Sequence, residues 1–394
     1  MTLADRALRR LDGVARLRWL ILTGCLVVLG VPAALWPGSG DWGFFRTGAS
    51  GLLGEPVPGT SGGIHLYASM PNVQIGPPAL LAAAPFRLLP QPWDVGAARL
   101  VMLLAALLVL ALVDRAGRAM LVPDVVRRRG ILLGGLGLAP SWVVLAVDFA
   151  HLDDVLVLVL AASAVLLLAT RRPMWAAVAL GVAAATKPWA VVLLPLLLVP
   201  GLRAGARPLV FAGGVASAWW APFLADPQTL PQLWSFRLDV GAGSGLTLLG
   251  LDVGEATPGW VRPAQVLGGT ALGAWAALRG RWTGVILVGL ACRVALDPNP
   301  LFYYGAGLVL GALVWDVARS ARGIPWTTGC AAAALSVAPL LGPPLGVAAL
   351  RTLTCLGLVL VVVLSLARRP PAATDRSAGP AVSPASRGLQ ARPS

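Results

Sequence analysis

Long apolar runs alternate with short basic loops along most of this chain. One run extends from Trp19 to about Trp36. Others cover about 131–147, 209–223, 263–278, 282–296, 301–317, 325–340 and 345–367, and one leads back from the acidic cluster after Asp148 to Arg171-Arg172. A helix needs about 20 apolar residues to cross a hydrocarbon core about 30 Å thick. The pattern therefore predicts an all-α polytopic membrane protein, a helical bundle of about 10–13 membrane segments or partial segments.

Two stretches break the rhythm. Residues 77–113 are apolar but interrupted by Pro85, Pro90 and Pro92, and they carry Arg87, Asp94 and Arg99. The arginine-rich loop from Asp114 to Gly130 that follows predicts one crossing here plus an interfacial or partial helix. Residues 174–200 are interrupted by Thr186-Lys187-Pro188-Trp189. Each half is short for a full span, so this segment is expected to rise and return, with Lys187 near the outer side or partway up. Irregular backbone at such depth is tolerated only where protein or a wet cavity surrounds it.

Polar residues gather in two long loops, 37–76 and 224–262. The first carries Asp41, Arg46, Glu55, His65 and Tyr67 among glycines and aromatics, far more than a connection requires. Ordering such a loop costs entropy, so it is read as one wall of an active site on the membrane surface, with interfacial helices of its own.

Charge then orients the chain. Arginines concentrate in residues 1–18, in 114–130, and at Arg171-Arg172, Arg203, Arg207, Arg279, Arg281, Arg319, Arg322, Arg368 and Arg369. Basic loops stay inside, which predicts cytoplasmic termini and extracytoplasmic long loops in a multi-pass plasma-membrane protein. A basic N-terminal segment 1–18, a membrane domain 19–367 and a Pro/Ser-rich tail 368–394, expected to be disordered, complete the organisation. Nothing near residue 36 resembles a signal-cleavage site. With 57% hydrophobic and 12% charged residues, the chain leaves no room for a large soluble domain, and its net charge of +14 reads as topology and anionic lipid neighbours, with no nucleic-acid partner. Cys25, Cys292, Cys330 and Cys355 lie in or near apolar segments, without metal-like spacing, and read as packing residues. The excess of Arg over Lys, with abundant Ala, Gly and Pro, is the composition of a GC-rich bacterial genome.

This topology puts Asp41, Glu55, His65, Asp148, His151, Asp153, Asp154, Asp239, Asp252, Glu255 and Asp297 on one face, with Arg46, Lys187, Arg237 and Arg293 as cations. An acidic cleft with a few cations suits transfer of a group from a phosphate leaving group to a hydroxyl: a carboxylate takes the hydroxyl proton, and cations stabilise the departing phosphate. Asp41 heads a loop directly after the first span and is the candidate base; the competing reading is a cap on a helix starting near Trp42. His151 and Asp154 share a helical face and are candidates for holding a phosphate or a metal, whereas Asp153 or Asp154 would otherwise cap the next span. His65 reads as a loop packing residue. Lys187 is the only lysine, and an ammonium within apolar sequence is a functional candidate for a lipid phosphate; snorkelling or pairing with an acid is its alternative. Arg293, four residues before Asp297, is a similar candidate, and Tyr303-Tyr304 reads as interfacial belt or cleft wall.

In their order these features resemble the multi-spanning glycosyltransferases of the C superfamily, most closely the bacterial polyprenyl-phosphate-mannose-dependent alpha-mannosyltransferases. The matching stretches are Asp41 to Phe45, Gly48 to Gly54, Leu66-Tyr67, Ile75-Gly76-Pro77-Pro78, Ala150-His151-Leu152-Asp153-Asp154, and Gly181 to Lys187-Pro188. The likeness covers roughly residues 17 to 310 and departs from the family pattern at Ala150, where Gly is usual, and at Gly76, where an aromatic would precede the prolines. It implies a glycosyltransferase C-like fold, a polyprenyl-phosphate sugar donor and a glycolipid or envelope-glycan acceptor. It further implies inverting transfer on the outer face, with Asp41 as general base and His151, Asp154, Lys187 and Arg293 around donor phosphate and acceptor. Arg46 and Tyr67 of the first loop join the substrate-binding candidates. Some members need a divalent cation and others do not, so His151 and Asp154 stay candidates for a metal. A transporter or flippase of a lipid or polar solute is the alternative from another class, and would bind near mid-membrane with the loops as gates. A non-catalytic scaffold would tolerate neutralising Asp41 or Lys187.

Overall fold

The computed structural model describes residues 3–35, 40–55 and 57–367; the tail 368–394 lies outside them. The described chain is helical, with no sheet and one isolated antiparallel bridge, Asp239 to Ala256. Among the described residues, four helices are long and apolar enough to cross a membrane: Trp93–Ala119, Asp124–Asp148, Leu152–Ala169 and Pro344–Leu366. Two bent pairs, Leu8–Arg16 with Arg18–Pro32 (75°) and Leu202–Leu224 with Thr229–Ser235 (106°), raise that to six. Fewer helices meet this measure than the ten to thirteen segments expected, because several apolar runs are short. Pro173–Thr186 and Pro188–Leu198 span only about 21–22 Å each at the rises of α- and 3₁₀-helix. Pro188 and Pro195 each remove a backbone donor from the second of these, which winds as a 3₁₀-helix.

Residues 77–113 divide as expected. A short helix Pro77–Ala83 runs into a tight turn at Ala84–Leu88, and Trp93–Ala119 then makes the one long crossing. The arginine-rich loop expected from Asp114 to Gly130 is instead helical on both sides of a turn at 120–123. The charges that turn inward are paired. Asp114 is buried against Arg127, also buried, and lies 3.4 Å from Arg18. Arg129 reaches Asp12 at 2.5 Å and the carbonyls of Leu8 and Arg322 at 3.2 Å. Only Arg115, Arg118 and Arg128 of this group face outward. The basic N-terminal segment is likewise a helix, Leu3–Arg16, packed on Asp124–Val143.

The first long loop is an ordered wall. Its helix Trp42–Leu52 buries Trp42, Phe45 and Ala49 at helical spacing and crosses Pro77–Ala83 closely: a Cβ on Gly48 would come within 2.8 Å of the Leu80 side chain. Leu66, Tyr67 and Val73 are buried behind it. Tyr67 packs at 4.8 and 5.0 Å, between ring centroids, against Trp220 and Phe223. His65 meets Asp226 at 2.6 Å, and Asp226 also accepts the Gln228 N–H. Those bonds hold the Asp226 carboxyl below its usual range, the His65 contact most of all. The second loop has a small core of its own, Val240, Leu246 and Val261.

Gly76 ends the first loop. Its N–H donates to the Thr186 carbonyl at 3.0 Å, and a Cβ there would lie 1.8 Å from the Ala185 oxygen. This close backbone approach explains why Gly rather than an aromatic precedes Pro77. At the far end of Asp124–Asp148, replacing Arg127 with Met leaves Asp114 buried without its nearest partner. Such losses cost about 3 kcal/mol, so thermal unfolding in detergent should fall clearly for Arg127→Met and little for the exposed Arg118→Met.

Candidate functional site

Two helix breaks build the site. The span Asp124–Asp148 ends in a π-turn over Val144–Asp148, after which Ala150 takes a left-handed φ of 49°. This turn lets the His151 N–H bond to the Leu145 carbonyl at 3.1 Å and starts the next helix, Leu152–Ala169, with Asp153 and Asp154 in its first turn. Acidic residues are favoured there by the helix dipole, and Asp153 accepts the Asp154 N–H at 2.7 Å. A Cβ is strained at Ala150, because a positive φ is a conformation that favours glycine. The second break is at Lys187, extended at φ −150° between Pro173–Thr186 and Pro188–Leu198.

The first loop reaches the same place. Gly40 has φ 49°, and a Cβ on it would be 2.4 Å from the Phe149 oxygen; the Asp41 N–H donates to that oxygen at 2.8 Å. Asp41 stands at the start of helix Trp42–Leu52, yet its carboxylate makes no capping bond. It turns to His151 instead, with Oδ2 at 2.9 Å from Nδ1. The oxygen lies off the N–H direction, so Nδ1 has no aligned hydrogen bond. Phe45 places its ring edge-on to the imidazole, centroids 5.8 Å apart.

On the other side of the ring, His151 Nε2 lies 2.7 Å from Lys187 Nζ, 2.9 Å from the Tyr303 hydroxyl, 3.1 Å from Asp154 and 3.3 Å from Asp153. The Lys187 ammonium contacts Asp154 at 2.6 Å and Asp153 at 3.0 Å. Asp154 spends its remaining oxygen on the Trp189 indole N–H at 3.0 Å. Arg293 stacks over Tyr304 at 4.1 Å and Trp189 at 4.7 Å, and lies 3.8 Å from Asp297. A cavity of about 10 Å³ between Asp154, Trp189, Arg293, Tyr303 and Tyr304 has room for about one water.

The electrostatics follow from burial. Taking His151 out of water disfavours its charge, but the Asp153 carboxylate opposes this, and the neighbouring Asp154 and Asp41 carboxylates favour the charge against Lys187. The balance holds the imidazole above its ordinary pKa. His151, Asp153 and Asp154 each offer a ligand atom, all within 4.8 Å of one another, so this buried cluster could coordinate a divalent metal.

Of the residues singled out in the sequence, Asp41, His151, Asp154, Lys187 and Arg293 come together here. Asp153 joins them as a full member, with one oxygen on the ammonium. Tyr303, read as belt or cleft wall, bonds His151, and Trp189, part of the Lys187-Pro188-Trp189 interruption, orients Asp154. Arg46 and Tyr67 serve other contacts. Arg46 reaches Asp94 at 3.1 Å beside the Trp42 indole at 3.2 Å, fastening the loop helix to Trp93–Ala119. Tyr67 is wholly buried and donates to the Ile75 carbonyl at 2.8 Å. Glu55 pairs with Arg87, which holds its carboxyl below the usual range. Within the second loop the Asp252 backbone N–H donates to the Glu255 carboxylate at 3.2 Å.

No family model matches the chain, and no curated protein matches it. Fold and site together define a polytopic helical membrane protein with a buried His/Asp/Asp cluster able to bind a ligand or a metal.

Two measurements check this geometry. Asp154→Asn leaves Lys187 and Trp189 short of a partner and should lower stability by about 3 kcal/mol. Adding Lys187→Met should recover part of that loss, a coupling of about 1–3 kcal/mol in a double-mutant cycle of thermal melts. Ala150→Gly, which relieves a left-handed residue, should raise stability by about 1 kcal/mol.

Proposed function

We propose that this protein is a membrane glycosyltransferase. It moves a hexose, with mannose the first candidate, from a polyprenyl-phosphate donor to a lipid-linked or envelope-glycan acceptor on the extracytoplasmic face of a bacterial plasma membrane. One observation carries the reading: Asp41, at a helix start where a cap would be ordinary, leaves the backbone uncapped and faces His151. A partly exposed carboxylate, 32% accessible in its side chain, beside buried cations is what acceptor deprotonation next to an anionic leaving group requires.

The step is a single displacement. Asp41 accepts the proton of the acceptor hydroxyl as that oxygen forms a bond to the anomeric carbon. The bond from that carbon to the phosphate oxygen breaks with its electron pair, and polyprenyl phosphate leaves as the anion; configuration inverts. His151 orients Asp41. Lys187 and Arg293 supply positive charge toward the phosphate, and Tyr303, Tyr304 and Trp189 keep that charge shielded from bulk water.

The test is transfer of radiolabelled sugar from polyprenyl-phosphate-mannose to a membrane glycolipid fraction by the purified protein. Asp41→Asn should lower turnover by about a hundredfold or more, within the range general-base catalysis supplies, while leaving the melting temperature near the parent's. Equal turnover in both would remove Asp41 from the chemistry. Absence of turnover with mannose, glucose and arabinose donors, with divalent metal and extracted acceptors present, would favour a transporter.

A further inference from the structure

The three side chains that could hold a divalent ion are the same three that hold Lys187. Its Nζ lies 2.7 Å from His151 Nε2, 3.0 Å from Asp153 Oδ2 and 2.6 Å from Asp154 Oδ2. An ammonium and a metal ion bound by these atoms would stand at nearly the same point, two positive charges in contact in a site with little water. The ammonium is also well held. Lys187 is anchored at its backbone by an N–H bond to the Ala183 carbonyl at 2.9 Å, its side chain is 14% accessible, and it is the only lysine of the chain. Trp189 holds Asp154 by its other oxygen, and the Tyr303 hydroxyl meets His151 at the same Nε2 that faces the ammonium.

We propose that Lys187 is the built-in cation of this site and excludes a divalent ion from it: His151, Asp153 and Asp154 form a latent site, for a hard or borderline ion such as Mn²⁺ or Zn²⁺, that opens only when the ammonium is removed. One nitrogen and two carboxylate oxygens are an ordinary ligand set for such ions. With the ammonium present each of them already has a cationic partner, and a divalent ion gains little by replacing it. The proposal does not rest on sugar transfer, and its readout is metal affinity alone.

The experiment titrates chelator-stripped protein in detergent with Mn²⁺ and follows free Mn²⁺ by electron paramagnetic resonance. The parent should bind no stoichiometric Mn²⁺ tighter than about 1 mM. Lys187→Met and the polar, uncharged Lys187→Gln should each bind one ion at least tenfold tighter than the parent. The gain should vanish in Lys187→Met/Asp154→Asn and leave the gel-filtration profile unchanged. A parent that binds one Mn²⁺ as tightly as the variants overturns the proposal, even if only the parent can be purified. Monodisperse Lys187 variants that bind no more tightly than the parent overturn it too, as does a gain that survives Asp154→Asn.

Discussion

An ammonium carried into apolar surroundings has to be met at close range, since the cost of removing it from water is recovered only by neighbouring charge and hydrogen bonds. Lys187 is met by Asp153, Asp154 and His151 at once, and much of the surrounding architecture follows from gathering those partners. They lie on a different helix from Lys187. The helix carrying the two acids must begin beside the break that carries the lysine, and His151 must sit at that beginning. Trp189 then takes the remaining oxygen of Asp154, and Tyr303 joins Lys187 at His151 Nε2, which leaves the centre of the site closed on its inner side.

The same two breaks order the first loop. Its beginning is tied by the Asp41 N–H to Phe149, just before His151, and its end by the Gly76 N–H to Thr186, just before Lys187. A long polar segment thereby becomes a strap fastened at both sides of the site, with Trp42, Phe45, Leu66 and Tyr67 buried beneath it. The entropy cost of ordering it is offset by that burial and by a few well-placed backbone bonds. Glycine is required at both fastenings, because each brings two backbones closer than a side chain allows. Ala150 tolerates a left-handed conformation between them, a local strain of the kind that functional sites retain.

A second cluster of charge sits at the other end of the helix Asp124–Asp148, where Arg127, Asp114, Arg18 and Asp124 neutralise one another. The two clusters have different characters. Around Arg127 the partners close a helix–turn–helix corner, with the acids and arginines paired among themselves. Around Lys187 a carboxylate, Asp41, stays partly accessible at the edge, and an arginine, Arg293, is held mainly by aromatic faces. Charge arranged with an accessible edge suits recognition of a ligand; charge closed on itself suits structure.

Much of the fold was legible because apolar run length is a local property: helix bounds from Val261 onward, the break at Lys187-Pro188, and the split of 77–113 follow from hydrophobicity and proline positions alone. Residue rarity also carried real information, since a sole lysine in an oily segment and a histidine before two aspartates marked the site. The partners chosen by each charged group were not legible. Arg46 bonds Asp94 rather than entering the site, Tyr67 is consumed by the Ile75 carbonyl, and the expected arginine loop is a paired corner. Tyr303 reaches His151 across 152 residues and Lys187 reaches it across 36. Sequence by itself determined where most of the apolar helices run and which residues cannot be left unpaired in an apolar setting, because both depend on a residue and its neighbours along the chain. Only the tertiary structure decided which partner satisfies each of them, because that choice depends on how distant helices pack.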